Sequence, residues 1–173
     1  PAKRMGVKTA MPIWEAKQHC RDLIVVPASY GKYQKYSSYV REIFRDYTDQ
    51  VESFGLDEAW LDITGSLGLF GDPVKIAKEI SDRIKRELGI TVSIGVSFNK
   101  ITAKLGSDYK KPDAITVIEP DNYKQIVYPL PVGDLLYVGN ATQRKLGSYG
   151  IRTIGQLAET NPEVLKGWFG VMG

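Results

Sequence analysis

Asp57 and Glu58 stand side by side in the stretch VESFGLDEAWLDITG, residues 51–65, two positions after Gly55. The runs on either side, 50–54 and 58–64, have strand composition, and Gly55, Leu56 and Asp57 read as the tight turn between them. Side chains alternate along a strand, so Ala59, Leu61 and Ile63 share one face while Glu58, Trp60 and Asp62 share the other. At the tip, Asp57 and Glu58 can converge on one point. Two carboxylates held close need a compensating cation, and a divalent metal supplies it. A few hard oxygen ligands suit magnesium, which keeps waters and borrows phosphate oxygens from a substrate. That chemistry is phosphoryl or nucleotidyl transfer with two metal ions. The other reading is a solvated acidic turn, and spacing alone favours it.

A second cluster lies in GVSFNKITAKLGSDYKKPDAITVI, residues 95–118, with lysines at 100, 104, 110 and 111. A fixed cation there would stabilise charge on a phosphate, whereas the bland reading is a set of solvated lysines. A third lies in LLYVGNATQRKLGSYGIRTIGQLA, which reads as a helix-hairpin-helix. Val138 and Gly139 would make its tight turn. Gly139 and Asn140 would offer bare N–H groups at a helix start, with Arg144 and Lys145 adding charge. Such groups bind phosphate oxygens of DNA without reading bases. Histidine and cysteine chemistry has little footing. The chain holds one of each, His19 and Cys20, and a zinc site takes about four ligands.

The elements that must hold these clusters follow from periodicity. Residues 9–20 predict a short helix with Met11, Trp14, Ala16 and Cys20 on its apolar stripe. LIVVP, 23–27, predicts a buried strand. Apolar positions at 33, 36, 40, 43, 44 and 47 predict a helix. Asp72 and Pro73 predict the start of another, with Ala77, Ile80, Ile84 and Leu88 facing inward and Gly89 ending it. Strands at 91–98 and 114–118 flank a short helix at 99–110. The order β-α-β-β-α-β predicts an α+β, ferredoxin-like arrangement, a mixed sheet with helices on one face. From Glu119 the texture changes to prolines and short helices punctuated by glycine, which predicts a domain boundary near 119–130.

Bulk composition narrows the class. The 173 residues hold 43% apolar and 25% charged side chains, as a water-soluble globular chain does. No stretch approaches the roughly 18 apolar residues of a membrane span. A net charge of +3 agrees with an acidic partner without requiring one. The opening PAKRMGVK and the close GWFGVMG read as the ends of a piece of a longer protein.

GLDEAWLDITG resembles the catalytic hairpin of the Y-family translesion DNA polymerases, the DNA polymerase IV and UmuC/ImpB/MucB group, with its S-x-D-E-A-[YF]-L-D pattern. Gly55 stands where the family usually has serine, and Trp60 where it has a smaller aromatic. SFNKITAKLGSDYKKP resembles that family's S-x-N-K-x-x-A-K-x-x-S-D-x-x-K-P stretch, and PAKRMGVK resembles the end of its fingers. The resemblance implies an error-tolerant, template-dependent DNA polymerase of DNA repair and the damage response. Asp57 and Glu58 would be catalytic ligands of two Mg²⁺ ions in the complete enzyme. Lys3 and Lys111 would contact the triphosphate of the incoming deoxynucleoside triphosphate. Residues 1–28 would end the fingers, 29–120 form the palm, and 121–173 form a helix-hairpin-helix thumb. Gly139, Asn140, Arg144 and Lys145 would grip the primer-template DNA.

The resemblance also implies a further metal-binding aspartate on a central palm strand before Pro1, so this piece alone would be inactive. A sliding clamp would be met through parts beyond the C-terminal end. The expected location is the cytoplasm, at the nucleoid, with no membrane contact. Two other readings remain: a nucleotidyl cyclase-type palm, and a non-catalytic DNA-binding relative. The 131–169 segment and Lys111-Pro112 speak against the first, and the intact Asp57–Glu58 pair against the second.

Overall fold

The structure, a computed structural model, describes residues Pro1–Met172 and divides into two compact units, Pro1–Gln34 and Lys35–Gly173. The first unit holds a 3₁₀ turn, Ala2–Met5, and helix α1, Ile13–His19. Gly6 closes the 3₁₀ turn with φ +90°, and His19 lies over it. The histidine is therefore a packing residue. Ala16 is buried as expected, but Trp14 faces solvent. The strand expected at 23–27 does not form, and Ile24 is 85% exposed. An extended run becomes a strand only when a neighbour takes its N–H and C=O groups, and these residues pair with none among the described residues.

The second unit begins inside helix α2, Tyr30–Arg45, and continues with β1, Val51–Phe54, and β2, Glu58–Leu61. Helix α3, Leu67–Phe70, leads into α4, Pro73–Leu88. The Asp72 carboxylate accepts hydrogen bonds from the N–H groups of Val74 and Lys75, and Gly89 ends α4 with φ +67°. Strand β3, Ile94–Ser97, helix α5, Lys100–Tyr109, and strand β4, Ile115–Ile118, follow. The remainder is helical: α6, Tyr123–Val127; α7, Asn140–Ser148; α8, Ile154–Ala158; and α9, Pro162–Phe169.

The strands make two separate pairs instead of one mixed sheet. β1 and β2 are antiparallel, with Phe54 opposite Glu58, and β3 and β4 are parallel. One apolar cluster serves both pairs. It contains Ile43 and Tyr47, then Ile76, Ile80 and Ile84 of α4, and it is joined by Leu61, Ile63 and Ile94. The helices do not share one face. Ile94 points to the α4 side, so Gly95, next along the strand, points the other way. There α5 lies so close that a Cβ on Gly95 would sit 1.8 Å from the Ala103 carbonyl oxygen. The glycine makes room for a helix on the second face.

Two further clusters build the C-terminal part. Leu105 and Ile118 pack with Val127 and Ile154, so this core runs across residue 120. Val132, Leu146 and Ile151 form the other. Among the described residues no helix is long and apolar enough to cross a membrane.

Candidate active site

The hairpin of β1 and β2 carries the acidic pair, and its turn is braced from α2. The Arg41 guanidinium donates to the Gly55 carbonyl at 2.8 Å, and the Ser37 hydroxyl donates to the Leu56 carbonyl. Gly55 has φ +68°, the conformation that starts the turn. Asp57 falls at the exposed tip, and Glu58 is the first residue of β2. Leu61 and Ile63 enter the core while Glu58 and Trp60 face the other way, as alternation requires. Asp62 serves structure: its carboxylate accepts the Thr64 N–H at 2.9 Å, and the hydroxyl and amide of Thr64 hold its pKa below the ordinary value.

Helix α5 docks on the Glu58–Trp60 face. Asn99 starts it by accepting the Thr102 N–H at 2.9 Å. The Trp60 Nε1–H donates to the Lys100 carbonyl at 3.1 Å, and Lys100 pairs with Glu52. Lys104, one turn on, has its Nζ 2.9 Å from Glu58 Oε1 and 2.7 Å from Asp108 Oδ2. Lys111 reaches Asp108 Oδ1 at 2.6 Å. A chain of alternating charge thus runs Glu58, Lys104, Asp108, Lys111. Burial pushes the Lys104 ammonium down, but its bonds to Asp108 and Glu58 outweigh that and hold it above its ordinary value. Burial pushes the Asp108 carboxyl up, and the two lysines outweigh that and hold it low.

The sequence does not single out Lys104 among the lysines at 100, 104, 110 and 111, nor Asp108 as their partner. A lysine four residues before an aspartate on one helix was the available signal. The long-range partner, Glu58, was not legible from spacing.

As a donor set, Asp57 and Glu58 are two hard carboxylates, one at the exposed tip and one partly open. That fits magnesium, which takes one or two carboxylates and completes its shell with water and phosphate. Among the described residues no group of three or more histidine, cysteine, aspartate or glutamate side chains could hold a metal.

The other expected contacts lie on other elements. Lys3 is an exposed residue of the Ala2–Met5 turn in the first unit. At the turn expected over Val138 and Gly139, the positive φ falls on Tyr137, at +70°, and Gly139 has an ordinary φ of −76° as the N-cap of α7. Tyr137 is 81% exposed. No side chain caps α7, and nothing lies within 4 Å of where a Gly139 Cβ would be. The N–H groups at the start of α7, from Asn140 on, therefore open to solvent. Arg144 donates through Nε to the Asn140 carbonyl at 3.3 Å. Lys145 turns inward instead: its ammonium donates to the Trp168 carbonyl and lies 4.7 Å from the centre of the Phe169 ring.

The impB/mucB/samB family model matches residues 1–108. DNA polymerase IV of Acetivibrio thermocellus is 55% identical over 172 residues, which is 99% of this chain and 43% of that protein. DNA polymerase IV 1 of Bacillus subtilis is 42% identical, over 99% of this chain and 41% of its own. Among solved structures, DinB from Sulfolobus solfataricus superposes with a TM-score of 0.87 at 30% identity, over 99% of this chain and 50% of that one. An insertion ternary complex of Dbh DNA polymerase gives 0.88 at 30% identity, over 98% and 49%. The chain spans half or less of the length of each of these relatives.

Proposed function

The chain belongs to the impB/mucB/samB family, and we propose that it supplies the palm and thumb, with the end of the fingers, of an error-tolerant DNA polymerase for translesion synthesis. The fingers end near residue 28 and the palm near 120, with a helix-hairpin-helix thumb after it. The palm is ferredoxin-like in strand order, and the two strand pairs belong to one mixed sheet in the whole enzyme. The main support is the Asp57–Glu58 pair at the tip of a braced hairpin, beside the lysines of α5, in a chain whose relatives carry the name DNA polymerase IV.

Asp57 and Glu58 would hold magnesium. When bound, it polarises the primer hydroxyl and the phosphates of the nucleotide. The residues of the chain do the rest. Arg41 and Ser37 hold the turn carbonyls, so the tip keeps its shape while a charged substrate arrives. Lys111, with a flexible stem and a compact charge, swings from Asp108 to the triphosphate. Lys3 adds a second charge for the same phosphates. The open N–H groups at the start of α7 and Arg144 hold the backbone of primer-template DNA, independent of sequence. A sliding clamp would be reached through other parts of the enzyme.

Primer extension with Mg²⁺ and deoxynucleoside triphosphates tests this. The full-length protein should extend a primer, and its Glu58→Ala variant should lose about a hundredfold or more in rate, as sites do when a group stabilising transition-state charge is removed. A Glu58→Ala variant as active as its parent overturns the assignment.

A further inference from the structure

Lys104 is the one lysine of α5 and its exit that is largely withdrawn from water: its side chain is 17% exposed, against 58% for Lys100 and 52% for Lys111. An ammonium carries three donors and no acceptor. Two of the three are committed, to Glu58 on another element and to Asp108 on its own helix. Asp57, the other carboxylate of the tip, makes no ion pair among the described residues. The four groups Glu58, Lys104, Asp108 and Lys111 together carry no net charge. A cation at Asp57 therefore meets a Glu58 that is already neutralised, with an ammonium beside it.

From this we infer that Lys104 is the resident counter-ion of Glu58 and gives up that place to a divalent cation, with Asp108 as the carboxylate that keeps the displaced ammonium. The inference rests on the reading of Asp57 and Glu58 as a cation site. Stranding a partly buried charge is costly, so an exchange needs somewhere for the ammonium to go. Asp108, already 2.7 Å away, is that place. The helix itself cannot follow the ammonium. Ala103, the residue before Lys104, has its carbonyl pressed on Gly95, and Leu105, the residue after it, is buried. Only the lysine stem pivots. Lys104 is a positioning residue in this scheme: it acts on Glu58 and touches neither substrate nor metal. It keeps Glu58 turned toward α5 until a cation takes over.

Titration with Mn²⁺, read as paramagnetic broadening of the amide signals at residues 56–59, tests the exchange without any need for activity. Lys104→Met removes the competing charge and should bind Mn²⁺ about tenfold more tightly than the parent, because a neighbouring like charge no longer opposes it. Asp108→Asn leaves the ammonium with Glu58 alone and should bind more weakly than the parent. Lys104→Arg keeps the charge and should stay near the parent value, which a merely structural role for the lysine stem would not predict. Unchanged or weaker binding in Lys104→Met, with Asp57→Ala and Glu58→Ala still abolishing the broadening, overturns the exchange and leaves the cation site standing. Broadening that survives Asp57→Ala and Glu58→Ala overturns both. If melting curves show that Lys104→Met does not fold, Asp108→Asn decides: binding equal to the parent or tighter overturns the exchange, and weaker binding supports it.

Discussion

The hairpin of residues 51–61 and the helical stretch of residues 131–169 each set a glycine-marked turn beside basic residues, yet they are held in different ways. The hairpin depends on partners far away in sequence. Ser37 and Arg41 brace its turn, and Trp60 and Glu58 are met by Lys100 and Lys104 of α5, about 40 residues later. The helical stretch draws much of its bracing from within residues 131–169. Thr153 and Gln156 form a reciprocal capping box on α8, and Tyr149 stacks on Trp168 with ring centres 3.7 Å apart. The lysines differ accordingly. Lys104 connects the acidic tip to the body of the unit, while Lys145 closes the end of its own helical cluster. A basic residue near a glycine turn is thus no guide to phosphate contact until its partners are known.

The contrast breaks most visibly at Gly95. A methyl group there meets backbone on α5, and backbone cannot rotate away. Gly95→Ala should cost about 3 kcal/mol, at the upper end of overpacking, and lower the melting temperature by roughly 10 °C in a chain of this size. It should also tighten Mn²⁺ binding at the hairpin, because a displaced α5 takes the competing ammonium of Lys104 away from Glu58. Leu146→Ala, in the core of the helical stretch, should cost about as much, roughly 2–5 kcal/mol, yet leave that binding unchanged. A shift in Mn²⁺ binding in Leu146→Ala would show that the two regions are one cooperative site.

Helix caps give a smaller and sharper comparison. Asn99→Ala and Thr153→Ala each remove a cap and should each cost about 1 kcal/mol by urea denaturation. The Asn99 change should be the costlier of the two. Asn99 Oδ1 also lies 2.9 Å from the hydroxyl of Thr102, which is buried. Equal costs would mean that the long-range dependence of α5 does not extend to its first turn.

The smallest effect separates the two basic neighbours on α7. If the start of α7 holds DNA phosphates, Arg144→Ala should reduce the log–log salt slope of duplex binding by about 0.9, the value for one phosphate. Lys145→Ala should leave the slope unchanged and lower the melting temperature, since its ammonium is bonded to the Trp168 carbonyl. The reverse result would return Lys145 to the DNA surface.

Local chemistry decided much of this protein by itself. Asp72, Pro73 and Gly89 bound α4 where capping rules place its ends, because caps act within one helical turn. The 51–61 hairpin, with its apolar and acidic faces, follows from alternation along a strand. The adjacent carboxylates and the lysine series of α5 were visible as residue types. Other features were decided only by the tertiary structure. LIVVP has strand composition and forms no strand, since pairing belongs to two segments and composition to one. Gly95 looked like any strand glycine until α5 pressed on it. The pairing of Glu58 with Lys104 joins residues 46 apart, and no periodicity encodes such a contact. Its physical reason is the docking of a whole helix on one face of a hairpin, which brings together charges that the chain itself keeps far apart.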